Sequence, residues 1–299
     1  MKKLGKIFLF LFIAFVLTVT AHLVYLSRQA PKETYPEDSY LSGVQEKNGL
    51  IVVAHDDDMA GSAGLMTRLC REGWQIREMC FYQLGGLYFK KDSARNPLRK
   101  QALQQVAAIQ GLQGVDPVDF NLRRDMETEK SYMPMPYEEF PKVYKQDSLL
   151  GYISAYIEKH RPTVIFTLDD KMGGYGHPDH TLVSQLITRY CREHKNDSNF
   201  SVKKVYQAVF PPSLAENVLA KMPVYNAARE VYNVNGMPLP DVQVSFGEFA
   251  REKKACMKAY TTEQNSFRQI WPWYNWYPYW VYFRIFDREF YHIVNVADL

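Results

Sequence analysis

The chain has 299 residues, 46% of them hydrophobic and 14% aromatic, which is enough for a folded core and excludes a disordered chain. Its 36 lysines and arginines against 33 aspartates and glutamates give a net charge of +3 without a long basic run, so nucleic acid is not expected as a partner. Its four cysteines form no C-x-x-C pair, which excludes a zinc knuckle and a dense disulfide framework.

The first predicted element, residues 1–26, is a membrane-targeting segment. The basic stretch MKKLGK precedes a run from Ile7 to Leu26 that contains no charged residue. The run is either a signal peptide, cleaved before His22 after the small residues Val19 and Ala21, or an uncleaved transmembrane anchor. Its length is sufficient to span a bilayer, and we favour the anchor.

The basic residues around this segment predict its orientation. They are Lys2, Lys3 and Lys6 before it, and Arg28 and Lys32 after it. Because basic residues stay on the cytoplasmic side, we expect the body of the chain on the extracytoplasmic side, either membrane-anchored or secreted. Residues 27–47 are polar and contain two prolines, which suits a linker to a folded domain over residues 48–299.

From Asn48 onward, the sequence alternates between strands and helices. Predicted strands cover 49–55, 75–86, 115–122 and 162–170, and predicted helices cover 61–74, 96–112, 141–160 and 177–194. Nearly continuous apolar strands interleaved with helices are typical of parallel sheets that are buried on both faces. We therefore predict an α/β, Rossmann-like fold with a mostly parallel sheet and helices on both faces.

The last predicted feature is an aromatic segment at residues 271–283. It contains nine aromatic residues, four of them tryptophans. Such a run can pack as a cap over the core, form a platform on which carbohydrate stacks, or form a belt at a membrane interface. Core packing is the simplest of the three interpretations.

Two predicted strands end in residues that can bind a metal. His55, Asp56, Asp57 and Asp58 follow the first strand, and GGYGHPDH (173–180) follows the fourth. Aspartates at a helix start can also act only as caps, and an isolated H-x-x-H pair can simply lie on a helix face. In a parallel sheet, however, both loops lie at the carboxyl edge, and together they supply zinc ligands. An Asp-based Mg²⁺ or Ca²⁺ site is less consistent with the two histidines.

These stretches resemble the PIG-L/LmbE family of zinc-dependent N-acetylglucosaminyl deacetylases. AHDDDMAGSAG is similar to the family signature A-H-P-D-D-E, GGYGHPDH to the motif G-H-P-D-H, and REKKACMKAYTTEQ to a late family helix. The likeness spans roughly residues 48–265. It implies an LmbE-like fold and a metal-dependent hydrolase that releases acetate from an N-acetylglucosamine-type sugar.

The resemblance also implies roles for single residues. The implied ligands of Zn²⁺, or of another divalent transition metal, are His55, Asp58 and His180. The implied general base is Asp57, and the implied electrophile or acid is His177. Tyr175 is the implied substrate contact near the reacting carbonyl. The sequence departs from the family pattern at four positions. Asp56 replaces a proline, Met59 a glutamate, Tyr260 a histidine and Glu263 a serine.

Other substrate contacts are less specific in the sequence. Arg95 or Arg99 is a candidate for binding hydroxyls or phosphate, although both are also consistent with solvated helix charges. Asp125 follows the third strand and is a candidate for a sugar hydroxyl. An exported domain favours an amino sugar that is linked to lipid or polysaccharide. A deacylase of another amide, and a non-catalytic carbohydrate-binding protein with a decayed site, remain alternatives.

Overall fold

The domain is built on a twisted sheet whose strand order is β3-β2-β1-β4-β5-β7-β6. The computed structural model describes residues 2–82, 90–125, 128 and 130–299, with the backbone only for residues 2, 82 and 90–95. Within these ranges the strands are β1 (Asn48–Val52), β2 (Gln75–Tyr82), β3 (Gly114–Asp119), β4 (Val164–Leu168), β5 (Lys204–Val209), β6 (Val242–Ser245) and β7 (Arg288–Asn295). The first five strands are parallel, and β7 pairs antiparallel with both β5 and β6. The prediction of a mostly parallel sheet is confirmed.

Helices cover both faces of this sheet. They are α1 (Lys2–Gln29), α2 (Tyr40–Gly43), α3 (Ala63–Arg71), α4 (Lys90–Gln110), α5 (Phe140–Val143), α6 (Gln146–His160), α7 (Gly173–Gly176), α8 (Pro178–His194), α9 (Pro212–Val218), α10 (Pro223–Val231), α11 (Ala250–Ala259), α12 (Gln264–Ile270) and α13 (Tyr279–Tyr282). Successive side chains of a strand point to opposite faces. In β1, Leu50 and Val52 join one buried cluster while Ile51 joins another. The nearly continuous apolar strand of the sequence is therefore explained by burial on both sides.

The predicted elements are present, but several boundaries differ, and the predicted helix 141–160 is interrupted at residues 144 and 145, between α5 and α6. The helix after β1 begins as a 3-10 turn, Asp58–Ser62, before α3. Helix α4 starts at Lys90 rather than at residue 96, so Pro97 lies inside it. Proline favours a first helical turn, which is why the sequence suggested the later start. The end of the predicted second strand, 83–86, lies outside the described residues.

The strand order creates a crevice at one edge of the sheet. Strand β1 lies between β2 and β4, so the chain leaves β1 toward one side and later returns to the other. In open α/β sheets, ligands bind in the crevice outside the carboxyl ends of the strands at such a switch point. The loops after β1 and β4 carry the two histidine motifs, and the topology therefore brings them together.

A buried ion pair fixes the helix that follows β1. The Nζ atom of Lys253 on α11 lies 2.7 Å from Oε1 of Glu289 and donates to the carbonyl of Gly61 at 2.6 Å. The Glu289 carboxylate also accepts the backbone N–H groups of Gly64 and Leu65 at the start of α3. The pair thus satisfies helix-terminal groups that would otherwise be buried without partners.

Replacing Lys253 with methionine should lower the free energy of unfolding by about 3 kcal/mol, because the Glu289 carboxylate would remain buried without its cation. Urea denaturation of the two proteins measures this difference. Lys258→Met is the matched control, since Lys258 lies exposed on the same helix and should change stability by about 0.5 kcal/mol or less. Equal losses in the two variants would contradict the assigned role of the pair.

The N-terminal helix and the segment after it are attached to the domain. Residues 3–29 form a helix that is long and apolar enough to cross a membrane, judged by length and composition alone. The polar segment that follows was expected to be a linker, yet its side chains find partners on the domain. Glu33 accepts the backbone N–H of Ser213 at 2.8 Å, and Asp38 accepts the hydroxyl of Tyr206 at 2.7 Å. The domain boundaries stay a prediction, but the segment packs along the body.

Candidate metal centre and active site

The loop after β1 folds back on its own first residue. The Oδ2 atom of Asp58 accepts the backbone N–H of His55 at 2.9 Å. The chain then enters the 3-10 turn that begins at Asp58. This local bond holds the His55 and Asp58 side chains on the same side of the loop.

The loop after β4 places two histidines on the first turn of α8. His177 is the N-cap of this helix, and its side chain accepts the backbone N–H of Asp179 at 3.2 Å. Pro178 occupies the first helical position, where its missing N–H costs nothing. The rings of His177 and His180 therefore stack, with centroids 4.6 Å apart and planes at 15°. The G-H-P-D-H pattern is the sequence of a helix start.

Three of the predicted ligand atoms converge at one point. Nδ1 of His55 lies 2.9 Å from Nε2 of His180, and Oδ1 of Asp58 lies 3.0 Å from the same Nε2 atom. Nδ1 of His55 and Oδ1 of Asp58 are 3.5 Å apart. Ligand bonds of about 2.0 to 2.1 Å in a tetrahedral zinc site separate ligand atoms by about 3.3 Å. These three side chains thus fit a divalent transition metal.

Each ligand histidine is oriented through its second ring nitrogen. Nε2 of His55 lies 3.3 Å from Oδ2 of Asp179, and Nδ1 of His180 lies 3.0 Å from the carbonyl oxygen of Gly173. Such partners fix the tautomer and leave the other nitrogen free for a metal. Gly173 has a φ of +59°, and a Cβ there would come within 2.5 Å of the backbone nitrogen of Thr181. Only glycine allows this close approach.

His177 lies beside these ligands but differs from them in its hydrogen bonding. Its ligand atoms and those of His55 and His180 all lie within 4.8 Å of one another, so the three histidines form an alternative metal-binding group. However, Nδ1 of His177 accepts the Asp179 N–H, which places the ring hydrogen on Nε2. Burial lowers the pKa of His177 to about 3, so the ring is neutral. A neutral ring that carries its hydrogen on Nε2 and lines the cavity suits a hydrogen-bond donor, and we favour Asp58 as the third ligand.

A family comparison agrees with this geometry. The model of the PIG-L family, described as GlcNAc-PI de-N-acetylase, matches residues 50–191. This range includes both histidine motifs. Residues 50–191 belong to the PIG-L family.

One related enzyme and two solved structures extend the comparison beyond these residues. The 1D-myo-inositol 2-acetamido-2-deoxy-alpha-D-glucopyranoside deacetylase of Thermobifida fusca is 26% identical over 197 residues, which cover 60% of this chain and 68% of that protein. The structure of the A40926 pseudoaglycone deacetylase Dbv21 matches with a TM-score of 0.52 at 15% identity, covering 85% of this chain and 99% of the other. The structure of the 4-carboxy-2-hydroxymuconate hydratase GalB from Pseudomonas putida matches with a TM-score of 0.51 at 15% identity, covering 83% and 96%. These two structures share the fold, which by itself does not select a reaction.

In this PIG-L domain, the predicted base is paired with an arginine. Asp57 is half-buried, and its Oδ1 atom lies 2.7 Å from Nη2 of Arg99 on α4. Burial raises the pKa of Asp57 to about 6; Arg99 opposes this shift, and the neighbouring Asp56 adds to it. Arg99 also donates through Nε to Oδ1 of Asp56 at 2.7 Å. The guanidinium was predicted to contact substrate. That role stays a prediction, and its observed partners are the two aspartates.

The departures from the PIG-L pattern now have structural explanations. Asp56 is buried, and Arg99 holds one of its carboxylate oxygens with two N–H groups, which restrains the turn where the family has a proline ring. Met59 is 3% exposed and packs with the apolar residues Leu65 and Ile51, so this position is part of the core here. Neither departure removes a ligand atom from the convergence point.

The late family helix also reaches the site. The hydroxyl of Tyr260, at the position of the family histidine, donates to the backbone carbonyl of Asp56. Glu263, at the position of the family serine, lies 3.6 Å from Nη1 of Arg99. Both residues therefore act on the aspartate loop through its backbone or through Arg99.

The sequence interpretation missed a chain of residues behind His55. The hydroxyl of Tyr144 donates to Oδ1 of Asp179 at 2.6 Å, and Nη1 of Arg123 lies 3.3 Å from that hydroxyl. Arg123, Tyr144 and Asp179 are all buried. The aspartate between the two histidines of the motif was the available signal, since carboxylates commonly orient metal-binding histidines.

Asp179→Asn should weaken metal binding by roughly 10- to 100-fold, because an amide cannot hold the His55 ring as a carboxylate does. A zinc titration with a competing chelator measures the affinity. Asp170→Asn is the control, because Asp170 lies at the start of the same loop and its Oδ2 atom accepts a hydrogen bond from Thr188, about two turns beyond His180 on α8. Unchanged zinc affinity in Asp179→Asn would contradict the orienting role.

The remaining predicted contacts lie in different places. Tyr175 lines the cavity above the histidines, with its ring centroid 5.3 Å from that of His180. Asp125 forms a two-bond pair with Arg123, at 2.8 and 3.0 Å, and lies apart from the cavity wall formed by described residues. Its proposed contact with a sugar hydroxyl stays a prediction. The side chain of Arg95 lies outside the described residues.

The cavity at this edge of the sheet has a volume of about 740 Å³, large enough for a sugar with a substituent. Its walls differ in character. The predicted metal ligands and Asp57 form the polar wall. The apolar wall is lined by Phe210, Leu214, Leu219, Met222, Val224 and Met237.

Proposed function

We propose that this protein is a metal-dependent deacetylase that removes the N-acetyl group from an N-acetylglucosamine-type sugar of a glycoconjugate or glycolipid. The observation that carries the proposal is the convergence of the His55, Asp58 and His180 ligand atoms within a PIG-L domain. Asp57 and His177 line the same cavity beside these ligands. A metal centre with an adjacent base and a neutral donor has the parts that amide hydrolysis requires.

The residues of this chain have separate tasks in the proposed reaction. When bound, zinc supplies a Lewis acid that makes a water molecule acidic enough to attack near neutral pH. The Asp57 carboxylate accepts a proton as that water attacks the acetamide carbon. The Nε2–H of His177 donates a hydrogen bond to the carbonyl oxygen as negative charge develops on it. Protonated Asp57 then returns the proton to the amine as the C–N bond breaks, giving acetate and an amino sugar.

The shape of the cavity supports a substrate with an apolar portion. The cavity that contains the predicted metal ligands is also lined by apolar side chains, among them Leu214, Met222 and Met237, which an apolar substituent of the sugar can cover. A free monosaccharide leaves that wall uncovered. We therefore propose a sugar linked to lipid or to another apolar group as the preferred substrate.

Acetate release by the purified full-length protein tests this function. We expect release from a GlcNAc glycolipid, loss of activity on chelation with EDTA, and recovery on addition of Zn²⁺. An N-acyl amino acid in the same assay tests the alternative of another amide substrate. Absence of a bound transition metal together with no acetate from any GlcNAc substrate would overturn the proposal.

We further propose that α1 is an uncleaved anchor and that the domain lies on the extracytoplasmic side. The helix continues without a break through Ala21 and His22, the predicted cleavage point, and Leu26 beyond it is 1% exposed. N-terminal sequencing of the membrane-extracted protein separates the two forms. A start at His22 would show a cleaved signal peptide instead.

A further inference from the structure

The aromatic segment 271–283 divides into a buried and an exposed part. Trp271, Tyr274, Tyr282 and Phe283 are at most 6% exposed and belong to the core. By contrast, Trp276 is 70% exposed and Trp280 is 64% exposed. Core packing therefore explains the first part only, and two large indole rings remain in contact with the surroundings.

The segment lies against the end of the N-terminal helix. Nδ1 of His22 on α1 lies 2.6 Å from the hydroxyl of Tyr277, and the His22 ring meets the edge of Trp273 with centroids 5.0 Å apart. The Trp276 ring is 6.3 Å from the same histidine. Trp273 has a φ of +67°, a left-handed conformation that is rare for a bulky residue. The aromatic segment therefore packs against α1 at the level of His22.

That level corresponds to the boundary of a bilayer if α1 spans it. Residues 3–18 are all exposed, and contact with the body begins only near His22. From Ile7 the helix rises about 22 Å to His22 and about 28 Å to Leu26. The hydrocarbon core of a bilayer is about 30 Å thick. Trp276, the exposed tryptophan beside His22, therefore lies at the depth where tryptophan and tyrosine are enriched in membrane proteins, and Trp280 follows it in the same exposed segment.

Hydrogen bonds hold the folded domain against the end of α1 and the residues that follow it. Nη1 of Arg288 donates to the carbonyl of Glu33 at 3.1 Å, and Nη2 donates to that of Pro31 at 3.3 Å. Nδ2 of Asn217 on α9 donates to the carbonyl of Gln29 at 3.3 Å. These bonds begin at the last residue of the helix, so the position of the helix fixes the position of the aromatic segment.

We propose that Trp276 and Trp280, together with the last turns of α1, form a docking surface for the interfacial region of a phospholipid bilayer. The surface continues the exposed apolar face of α1, which is what identifies lipid as its occupant. It holds the domain against the membrane in one orientation, whereas a helix joined by a free linker would only tether it. The proposal rests on retention of α1 and not on the reaction that the domain catalyses.

Quenching of tryptophan fluorescence tests the docking surface. Full-length protein is placed in phosphatidylcholine nanodiscs whose lipids carry bromine either near the headgroup or near the chain ends. We expect stronger quenching by the shallow bromine, and a roughly two-fold or greater loss of that quenching in a Trp276→Phe, Trp280→Phe double variant. Both changes are at exposed positions, and thermal melting checks that the variant is folded.

The control is Trp74→Phe, which removes a buried tryptophan of the core and should leave shallow quenching intact. Quenching that is the same in the double variant and the wild type would overturn the proposal. So would an emission shift caused by soluble N-acetylglucosamine oligomers that disappears in the double variant while lipid bromine has no effect. That result would identify the exposed rings as a carbohydrate platform.

Discussion

Asp57→Asn should reduce acetate release by about 10² to 10⁴-fold while leaving the bound metal in place. An amide of the same shape cannot accept the proton of the attacking water. The metal should stay bound because residue 57 supplies none of the three ligand atoms, which come from His55, Asp58 and His180. The measurements are initial rates of acetate release and metal content of the same preparations. This combination separates a base from a ligand.

The control for this variant is Asp197→Asn, the same substitution at an exposed residue whose carboxylate faces His194. It should retain full activity. If Asp57→Asn loses its metal together with its activity, Asp57 is a ligand and the assignment of Asp58 is wrong. If Asp57→Asn retains both, another group is the base. Sugar binding that persists without any hydrolysis in the wild type would favour the decayed carbohydrate-binding alternative.

His180→Ala should abolish stoichiometric metal binding, and activity should fall by more than the roughly 100-fold that loss of an orienting residue costs. The ring contributes Nε2 to the convergence point and is 3% exposed, so no nearby solvent-facing side chain can replace it by a small movement. Elemental analysis of the purified variant measures the metal, and acetate release measures the activity.

His194→Ala is the matched control, because His194 ends the same helix and lies on the surface. A parallel His177→Ala variant decides between the two possible ligand sets. With Asp58 as the third ligand, His177→Ala keeps its metal and loses rate. If the metal is lost from His177→Ala and retained in Asp58→Asn, the ligands are the three histidines instead.

The sequence was informative about the fold because its strong signals are local. The apolar run at 49–55 and the start of α8 at Pro178 reflect burial and helix capping, which depend on neighbouring residues. The convergence of His55 with His180 followed from the rule that carboxyl ends of parallel strands share an edge. These parts of the prediction needed no knowledge of distant contacts.

Other parts depended on contacts between residues far apart in the chain. Arg99 pairs with Asp56 across 43 positions, and Tyr144 pairs with Asp179 across 35. A charged or phenolic side chain gives no sign in the sequence of which loop it will meet. The segment after α1 was misleading for a related reason, since polar residues that bind a distant strand have the composition of a solvated linker.

That segment has a second consequence for the sheet. Strand β6 is at its edge, and the backbone N–H of Gln243 donates to the carbonyl of Pro36 at 2.9 Å while its carbonyl accepts the N–H of Asp38 at 3.1 Å. An uncovered edge offers free backbone groups with which a neighbouring molecule can pair and aggregate. If α1 is retained as the proposed anchor, the protein meets its own copies at high local density in the plane of the membrane. The same few residues that connect the domain to its helix therefore also protect it from strand-to-strand association.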